Sequence, residues 1–360
     1  MKLRKLTFRL LACAAALTAA QTAHSQQVRW LETTHDFGAF TEETGPVSCE
    51  FLMVNDGPGD ASIVAARATC GCTRPQYTVR SLAPGDTARL SVSFDPNGRP
   101  GRFSKQIYVE TSGTPSKQRL DITGVVIGSG ETVARRFPVD LGPLKLATQG
   151  VMLGEVTKGH LKTAYTEGYN RSADSLHVKV VRKPEWLEVV PSPQVAAPGE
   201  QVTLVSYLNS ARCPLYGFIE DSITVEPVAG MQFTLPVTVI INEDFSQLSP
   251  GDISKGPISV LSTDIVDLGD MDRAAGAVTR SFTIGNGGKN KLHIRRVYSV
   301  DPGVTVSVGG DTVGKGKKVT VTVTADPAAM TGKVFSAKVI VITDDPLQPT
   351  RNVRLAGTIQ

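Results

Sequence analysis

Along most of the chain, apolar residues fall at every second position. Leu90, Val92 and Phe94 alternate with polar residues and end in Asp95-Pro96, and Val319, Val321 and Val323 do the same ahead of Asp326-Pro327. A period of two sends successive side chains to opposite faces, so each run predicts a strand with one buried face. Further strands are predicted from Phe103 to Glu110, from Phe233 to Asn242 and from Val334 to Thr343. Turn signals separate them: Asn55-Asp56-Gly57-Pro58-Gly59, Asn97-Gly98, Ser112-Gly113-Thr114-Pro115 and Asn286-Gly287-Gly288. No helical period of convincing length appears beyond residue 25.

The pattern repeats. His35-Asp36-Phe37-Gly38, Val139-Asp140-Leu141-Gly142 and Val266-Asp267-Leu268-Gly269 each open a unit of roughly a hundred residues. Phe51 and Asn55 of the first unit return with the same spacing as Phe282 and Asn286 of the third. Ala83-Pro84-Gly85 has a counterpart in Ala197-Pro198-Gly199, and the outer units both close on a Leu and a Gly, in Leu120-Asp121-Ile122-Thr123-Gly124 and Leu355-Ala356-Gly357. Short strands with frequent turns, in units of this size, predict an all-β protein of three tandem immunoglobulin-like β-sandwiches. The expected domains are 27–129, 130–246, the most diverged, and 252–360. Gly128-Ser129-Gly130 reads as a short first linker and Ser246 to Pro257 as the second.

Charge changes the picture at one end only. The 360 residues carry 38 Lys plus Arg against 34 Asp plus Glu. Lys2, Arg4, Lys5 and Arg9 precede an apolar run from Leu10 to Ala20, and Ala23-His24-Ser25 follows, the pattern of a secretory signal peptide over 1–25. Without these four basic groups the chain has 34 of each sign, which gives no reason to expect a nucleic-acid binder. Leu10-Leu11-Ala12-Cys13 also loosely resembles a lipoprotein cleavage box, with Cys13 as the anchored residue. Beyond Ala20 no apolar run approaches the roughly 20 residues of a membrane helix. Periplasmic or cell-surface residence is the expectation.

The first unit resembles a known family through His35-Asp36-Phe37-Gly38, Ala68-Thr69-Cys70-Gly71-Cys72-Thr73, Leu82-Ala83-Pro84-Gly85, Ser93-Phe94-Asp95-Pro96 and Gly98-Arg99-Pro100-Gly101. These are similar to the domain-of-unknown-function 1573 family. The resemblance implies an immunoglobulin-like sandwich, related to the Hydin and major sperm protein group, in exported bacterial proteins, often of Bacteroidota. It implies no established activity. The third unit shares the framework but has Tyr298-Ser299-Val300 in place of the Cys-Gly-Cys block.

Export makes disulfides possible, and Cys49, Cys70, Cys72 and Cys213 follow the leader. Cys70 and Cys72, two apart in an extended segment, share one face. They read as a thiolate pair for a soft metal such as Cu(I), a redox pair, or a disulfide that fixes a strand edge. Cys49 has the parity of Phe51 and Met53 and faces the core, where it is a small hydrophobe or a partner for Cys70 or Cys72. Cys213, beside Pro214, is free or pairs between molecules. Gly309-Gly310-Asp311-Thr312-Val313-Gly314-Lys315-Gly316 nearly spells a phosphate-binding loop, but Gly316 replaces the required Ser or Thr and a strand follows, so it reads as a turn.

Catalysis and cofactors have no support from motifs: four histidines (35, 160, 177 and 293) follow the leader, without a His-Glu-x-x-His or Gly-x-Ser-x-Gly pattern. Asp36, Asp140 and Asp267, one per unit, read as turn-forming residues. Trp30 and Trp186 fall in different domains, and aromatics make up 6%, a thin basis for a glycan-binding face. In the host group that the resemblance implies, O-glycans are attached at Asp-Ser/Thr before a small or apolar residue, a pattern matched by Thr87, Ser175, Ser222 and Thr312. The expectation is a non-catalytic binding or assembly protein of the cell envelope with a protein partner, recognised through strand edges or loops. The alternative is a copper or thiol-redox protein at Cys70 and Cys72.

Overall fold

The computed structural model describes residues 27–330 and 332–360. The expected leader and Cys13 lie outside the described residues. Eight strands come first: β1 (Val28–Trp30), β2 (Thr34–Thr41), β3 (Val47–Asn55), β4 (Ile63–Ala68), β5 (Thr73–Tyr77), β6 (Thr87–Phe94), β7 (Gly101–Thr111) and β8 (Lys117–Ile127). They form two four-stranded sheets, β1-β3-β6-β5 and β2-β8-β7-β4. Alternation works as its period requires: Cys49, Phe51 and Met53 of β3, Leu90, Val92 and Phe94 of β6 and Leu120 and Ile122 of β8 are all buried in one core. Phe94 and Phe103 stack across it at 4.0 Å.

Residues from Ser259 to Ile359 repeat this plan. One sheet has the order Ser259–Leu261, Val278–Asn286, Lys318–Ala325, Val304–Val308; the other runs Ile265–Met271, Thr350–Ile359, Val334–Thr343, Leu292–Tyr298, Thr312–Val313. Phe282, Ile284, Val321, Val323, Val339 and Leu355 fill the core between them. The fold is therefore all-β, with tandem sandwiches.

The chain falls into two compact units. The first runs to Ala147 and takes in Gly168–Leu176 and Val195–Val202; the second comprises Thr148–Glu167, His177–Gln194 and Thr203–Gln360. Residues expected as a middle domain are thus divided between them. In the second unit, Val151–Thr157, Met231–Asn242, Gly217–Val228 and Lys179–Arg182 form a four-stranded sheet in that order. A helix begins at the end of the first expected linker, and another lies within the second. Gly130–Arg136 is capped by the Ser129 hydroxyl, which accepts from the Thr132 amide, and Pro250–Lys255 carries a capping box of Ser249 with Asp252. Each is about two turns or less, too short to show a helical period in sequence.

Two polar devices recur. In the first, a carboxylate bends the chain at the start of each sequence repeat. Asp36, Asp140 and Asp267 accept from the amides of Gly38, Gly142 and Gly269 at 3.0, 2.8 and 2.8 Å. These glycines have φ of +65°, +70° and +70°, a region that a Cβ disfavours. In the outer sandwiches the device is a bulge, shifting the parallel pairing of β2 with β8 and of Ile265–Met271 with Thr350–Ile359. Gly124 and Gly357 lie against the displaced backbone: an added Cβ would come within 3.0 Å of the Gly38 carbonyl and 2.8 Å of the Gly269 carbonyl. Pairing makes Ile122, opposite His35, the counterpart of Leu355, opposite Val266; Leu120 stands one step earlier on that face.

In the second device a buried asparagine ends a strand. The Asn55 side-chain amide donates to the carbonyls of Gly59 and Leu82 at 2.8 and 2.9 Å, and its oxygen accepts from the Gly57 amide. Asn286 does the same with Asn290, Val313 and Gly288, at 2.8, 2.9 and 2.9 Å. Asn170 makes the third copy, with Asp174, Ala196 and Ser172. Asn286→Ala strands two carbonyls and an amide, so it is expected to destabilise the chain by about 2–4 kcal/mol. Denaturant unfolding checks this, with Lys289→Ala, on the exposed turn beside it, expected to change stability by less than about 0.5 kcal/mol.

Candidate functional site

The Cys-Gly-Cys block lies between β4 and β5, where the chain crosses from one sheet to the other. Cys70 and Cys72 are joined by a disulfide, with Cα atoms 5.3 Å apart. The corner is tied to both sheets: the Thr69 amide donates to the Gln106 carbonyl at 3.1 Å, and the Asp95 amide to the Cys72 carbonyl at 2.9 Å. The Thr73 hydroxyl lies 3.6 Å from Cys70 Sγ and 3.8 Å from Cys72 Sγ. A soft metal binds thiolates, so this oxidised pair has no sulfur charge to offer it. Among the described residues no three His, Cys, Asp or Glu side chains gather as ligands.

Cys49 is free and buried, and so pairs with neither Cys70 nor Cys72. Burial, with a smaller contribution from the charge of Glu32, pushes its thiol up to about 11. Cys213 is also free, and at 1% exposure it cannot reach another molecule, which removes the expected intermolecular pairing. Its carbonyl accepts from the Lys158 ammonium. The Gly309–Gly316 segment holds the two-residue strand Thr312–Val313 and ends in a turn, where Gly316, with φ of +67°, donates to the Asn286 carbonyl at 2.9 Å.

A buried carboxylate in the first unit gave no motif in the sequence. Glu42 opens a short 3₁₀ turn, Glu42–Thr44. It accepts from the Gly98 amide at 2.6 Å, the Ser129 amide at 2.8 Å and the Thr132 hydroxyl at 2.8 Å. Burial raises its pKa, but the amides of Gly98 and Ser129 and the hydroxyl of Thr132 together outweigh that and hold it below the usual carboxylate value. Nearby, Arg102 Nε donates to Glu200 at 2.6 Å, Gln201 Nε2 to the Pro100 carbonyl at 2.7 Å and the Gly128 amide to the Tyr169 hydroxyl at 2.8 Å. Phe137 stacks on Tyr169 at 5.5 Å. These groups serve the packing of the first unit.

The second unit carries a surface of another kind. Strands Leu161–Asn170, Gln201–Asn209 and Leu187–Ser192 are neighbours in one sheet. Leu161 is 76% exposed, Tyr165 70% and Tyr207 49%. They stand at outward positions, where alternation elsewhere places polar residues. Pairing sets Tyr207 opposite Glu188 and Val205 opposite Val190, so the face runs on to the edge strand. A cleft of about 550 Å³ borders it, lined by Trp186, Tyr207, Lys162, Lys183, Glu185 and Arg212 among others. Lys183 and Glu188 pair there at 2.6 Å. The sequence signal for this face was available in the parity of Leu161 and Tyr165.

Of the glycosylation candidates, Thr87, Ser175 and Thr312 are exposed. Ser222 is half-buried and accepts from Arg182 at 2.6 Å, which leaves it the least open of the four to a transferase.

Glu42 contributes stability above its unfolded pKa of about 4.3, and loses it as pH falls through the lower folded value. Unfolding midpoints measured from pH 7 to 3 are therefore expected to fall more steeply for wild type than for Glu42→Gln below about pH 4.3. Thiol titration of the chain beginning at residue 26 is expected to find no fast-reacting thiol in the native state, and on unfolding without reductant the two of Cys49 and Cys213.

Comparisons with known proteins follow the fold. Residues 28–126 match the family described as Protein of unknown function (DUF1573), and residues 257–358 match the HYDIN/CFA65/VesB-like, Ig-like domain. No curated protein shows significant sequence similarity. Among solved structures, the chain is similar to a protein of unknown function from Porphyromonas gingivalis W83, at 18% identity and TM-score 0.48, over 60% of this chain and 100% of that one. It is also similar to the ASH / PapD-like domain 7 of human CEP192, at 19% identity and TM-score 0.24, over 29% and 88%. The Vibrio cholerae VesB protease aligns at 13% identity and TM-score 0.23, over 43% and 58%. With Cys70-Gly71-Cys72 at its corner and Asp36-Phe37-Gly38 at its bulge, the segment 28–126 is thus similar to the DUF1573 family, and 257–358 to the HYDIN/CFA65/VesB-like, Ig-like domain.

Proposed function

We propose that the protein is a non-catalytic binding or assembly module, exported to the cell envelope, which engages a protein partner through the sheet face of Leu161, Tyr165 and Tyr207. That exposed face carries the proposal. Large apolar and aromatic side chains grouped on one sheet surface cost solubility unless something covers them, and aromatic residues with a polar tip suit a protein interface. The bordering cleft, with Lys162, Lys183, Arg212, Glu185 and Glu188 at its walls, supplies charged groups for a rim. The recurrent polar residues point the same way: the side chains of Asp36, Asp140, Asp267, Asn55, Asn170 and Asn286 all bond backbone groups of the framework. A disulfide at Cys70 and Cys72 suits an oxidising compartment outside the cytoplasm. Among the described residues no helix is long and apolar enough to cross a membrane.

Capture from host envelope extract on the immobilised chain beginning at residue 26 tests this. Tyr165→Ala/Tyr207→Ala, with an unchanged circular dichroism spectrum, is expected to reduce recovery of the captured protein about 10-fold or more. Undiminished capture would remove the face from the proposal. Stoichiometric copper on the wild type, lost in Cys70→Ser/Cys72→Ser, would replace it with a metal function.

A further inference from the structure

Every sheet of a sandwich ends in two strands whose outer backbone groups lack a partner, and folded proteins blunt such edges to prevent accidental pairing. Here the blunting can be followed strand by strand. Bulges or register shifts interrupt the edges at Asp36, Ile63, Met152, Val180 and Asp267. Pro75 and Pro191 stand in two more, where a missing N–H blocks a ladder. Val28–Trp30, Val139–Leu141, Ser259–Leu261 and Thr312–Val313 have three residues or fewer. Among the described residues one edge escapes all of these devices: Val304–Val308, with the sequence Val-Thr-Val-Ser-Val.

This strand pairs without interruption with Lys318–Ala325, from Val304 opposite Ala325 to Val308 opposite Val321. It contains no charge, no proline and no glycine. The Gly309 amide donates to the Thr320 carbonyl at 3.0 Å, and this sets the alternation of the ladder. Thr305 and Ser307 therefore turn their N–H and C=O groups toward Lys318–Ala325, while those of Val306 and Val308 point to the open side. The valine side chains are half-buried against the core, and Thr305 and Ser307 are exposed.

From this edge we infer that the chain forms a two-fold dimer, in which Val304–Val308 pairs antiparallel with the same strand of a second copy. The occupant follows from the order of residues. An antiparallel pair centred on Val306 sets Val306 against Val306, Val304 against Val308 and Thr305 against Ser307. Valines then meet valines on the core side, hydroxyls meet hydroxyls on the outer face, and the open N–H and C=O groups of Val306 exchange bonds across the axis. The strand is complementary to itself, as a two-fold interface requires. Val300, 59% exposed beside it, adds apolar area to a contact that is small for its class. The surface is distinct from the Leu161, Tyr165 and Tyr207 face, so the two proposals stand or fall separately.

Cysteine cross-linking fixes both the pairing and its register. Thr305→Cys and Ser307→Cys proteins are oxidised separately and as a mixture, with chains of different mass. Directly opposed residues come within disulfide reach, whereas the diagonal neighbours, roughly 7–8 Å apart, do not. The expected result is covalent dimer in the mixture only, always joining one chain of each kind. Sedimentation velocity over a concentration series is expected to show wild-type dimer, and Thr305→Lys/Ser307→Lys, with an unchanged circular dichroism spectrum, is expected to remain monomeric. A monomeric wild type, equal cross-linking in the separate proteins, or dimer retained by the lysine variant would each overturn the proposal.

Discussion

The side-chain amide of one buried asparagine per repeat is the interaction on which the rest is built. Asn55, Asn170 and Asn286 end a strand at the point where two loops must meet, and each amide satisfies backbone groups from both. The backbone of the same residue closes a second clasp. The Asn55 carbonyl accepts from Gly85, that of Asn170 from Gly199 and that of Asn286 from Gly316. Buried peptide groups need partners, and these supply them where no sheet ladder reaches. Because the contacts are with backbone, the loop sequences are free to change. Ala-Pro-Gly in two repeats and Gly-Lys-Gly in the third occupy the same place with different side chains.

This economy separates framework from surface. The charged groups most buried in the first unit, Glu42 and Glu200, receive hydrogen bonds from neighbouring backbone and side chains and hold loops in place. In the second unit Arg296 bonds the carbonyls of Tyr216 and Phe218 and lies 3.8 Å from the centre of the Tyr298 ring, while Arg295 bonds Glu243. Tyr298 ends the strand Leu292–Tyr298, and its hydroxyl accepts from the Phe218 amide. What is left for recognition is the sheet surface outside the framework.

Alternation made the strands legible in the amino-acid sequence, because Phe51, Leu90 and Val321 sit at positions where a period of two admits little else. The Asp-x-Gly bends were legible too, since a carboxylate two residues before a glycine has few other roles. The third asparagine was not: Asn170 lies in a strand ending Gly-Tyr-Asn, without the phenylalanine that marks the other two, and only the loops around it reveal the match. Glu42 was hidden because its partners are backbone amides 56 and 87 positions away, which carry no sequence signature. The short helices were hidden by length, whereas the shared parity of Leu161 and Tyr165 marks one face of a strand without saying whether that face meets the core or solvent.

The Cys70–Cys72 bridge encloses a single residue. A cross-link stabilises largely by the freedom it removes from the unfolded chain, and that freedom grows with the loop; a span this short contributes less than the ~3 kcal/mol associated with a 15-residue loop. The sandwich therefore does not hang on it. Phe51, Phe94 and their neighbours would keep the core intact with the bridge open, and the corner would exchange one covalent tie for two thiols at the margin of an otherwise unchanged domain. Sulfur chemistry at this position is insulated from folding, and the environment can act on it without putting the architecture at stake.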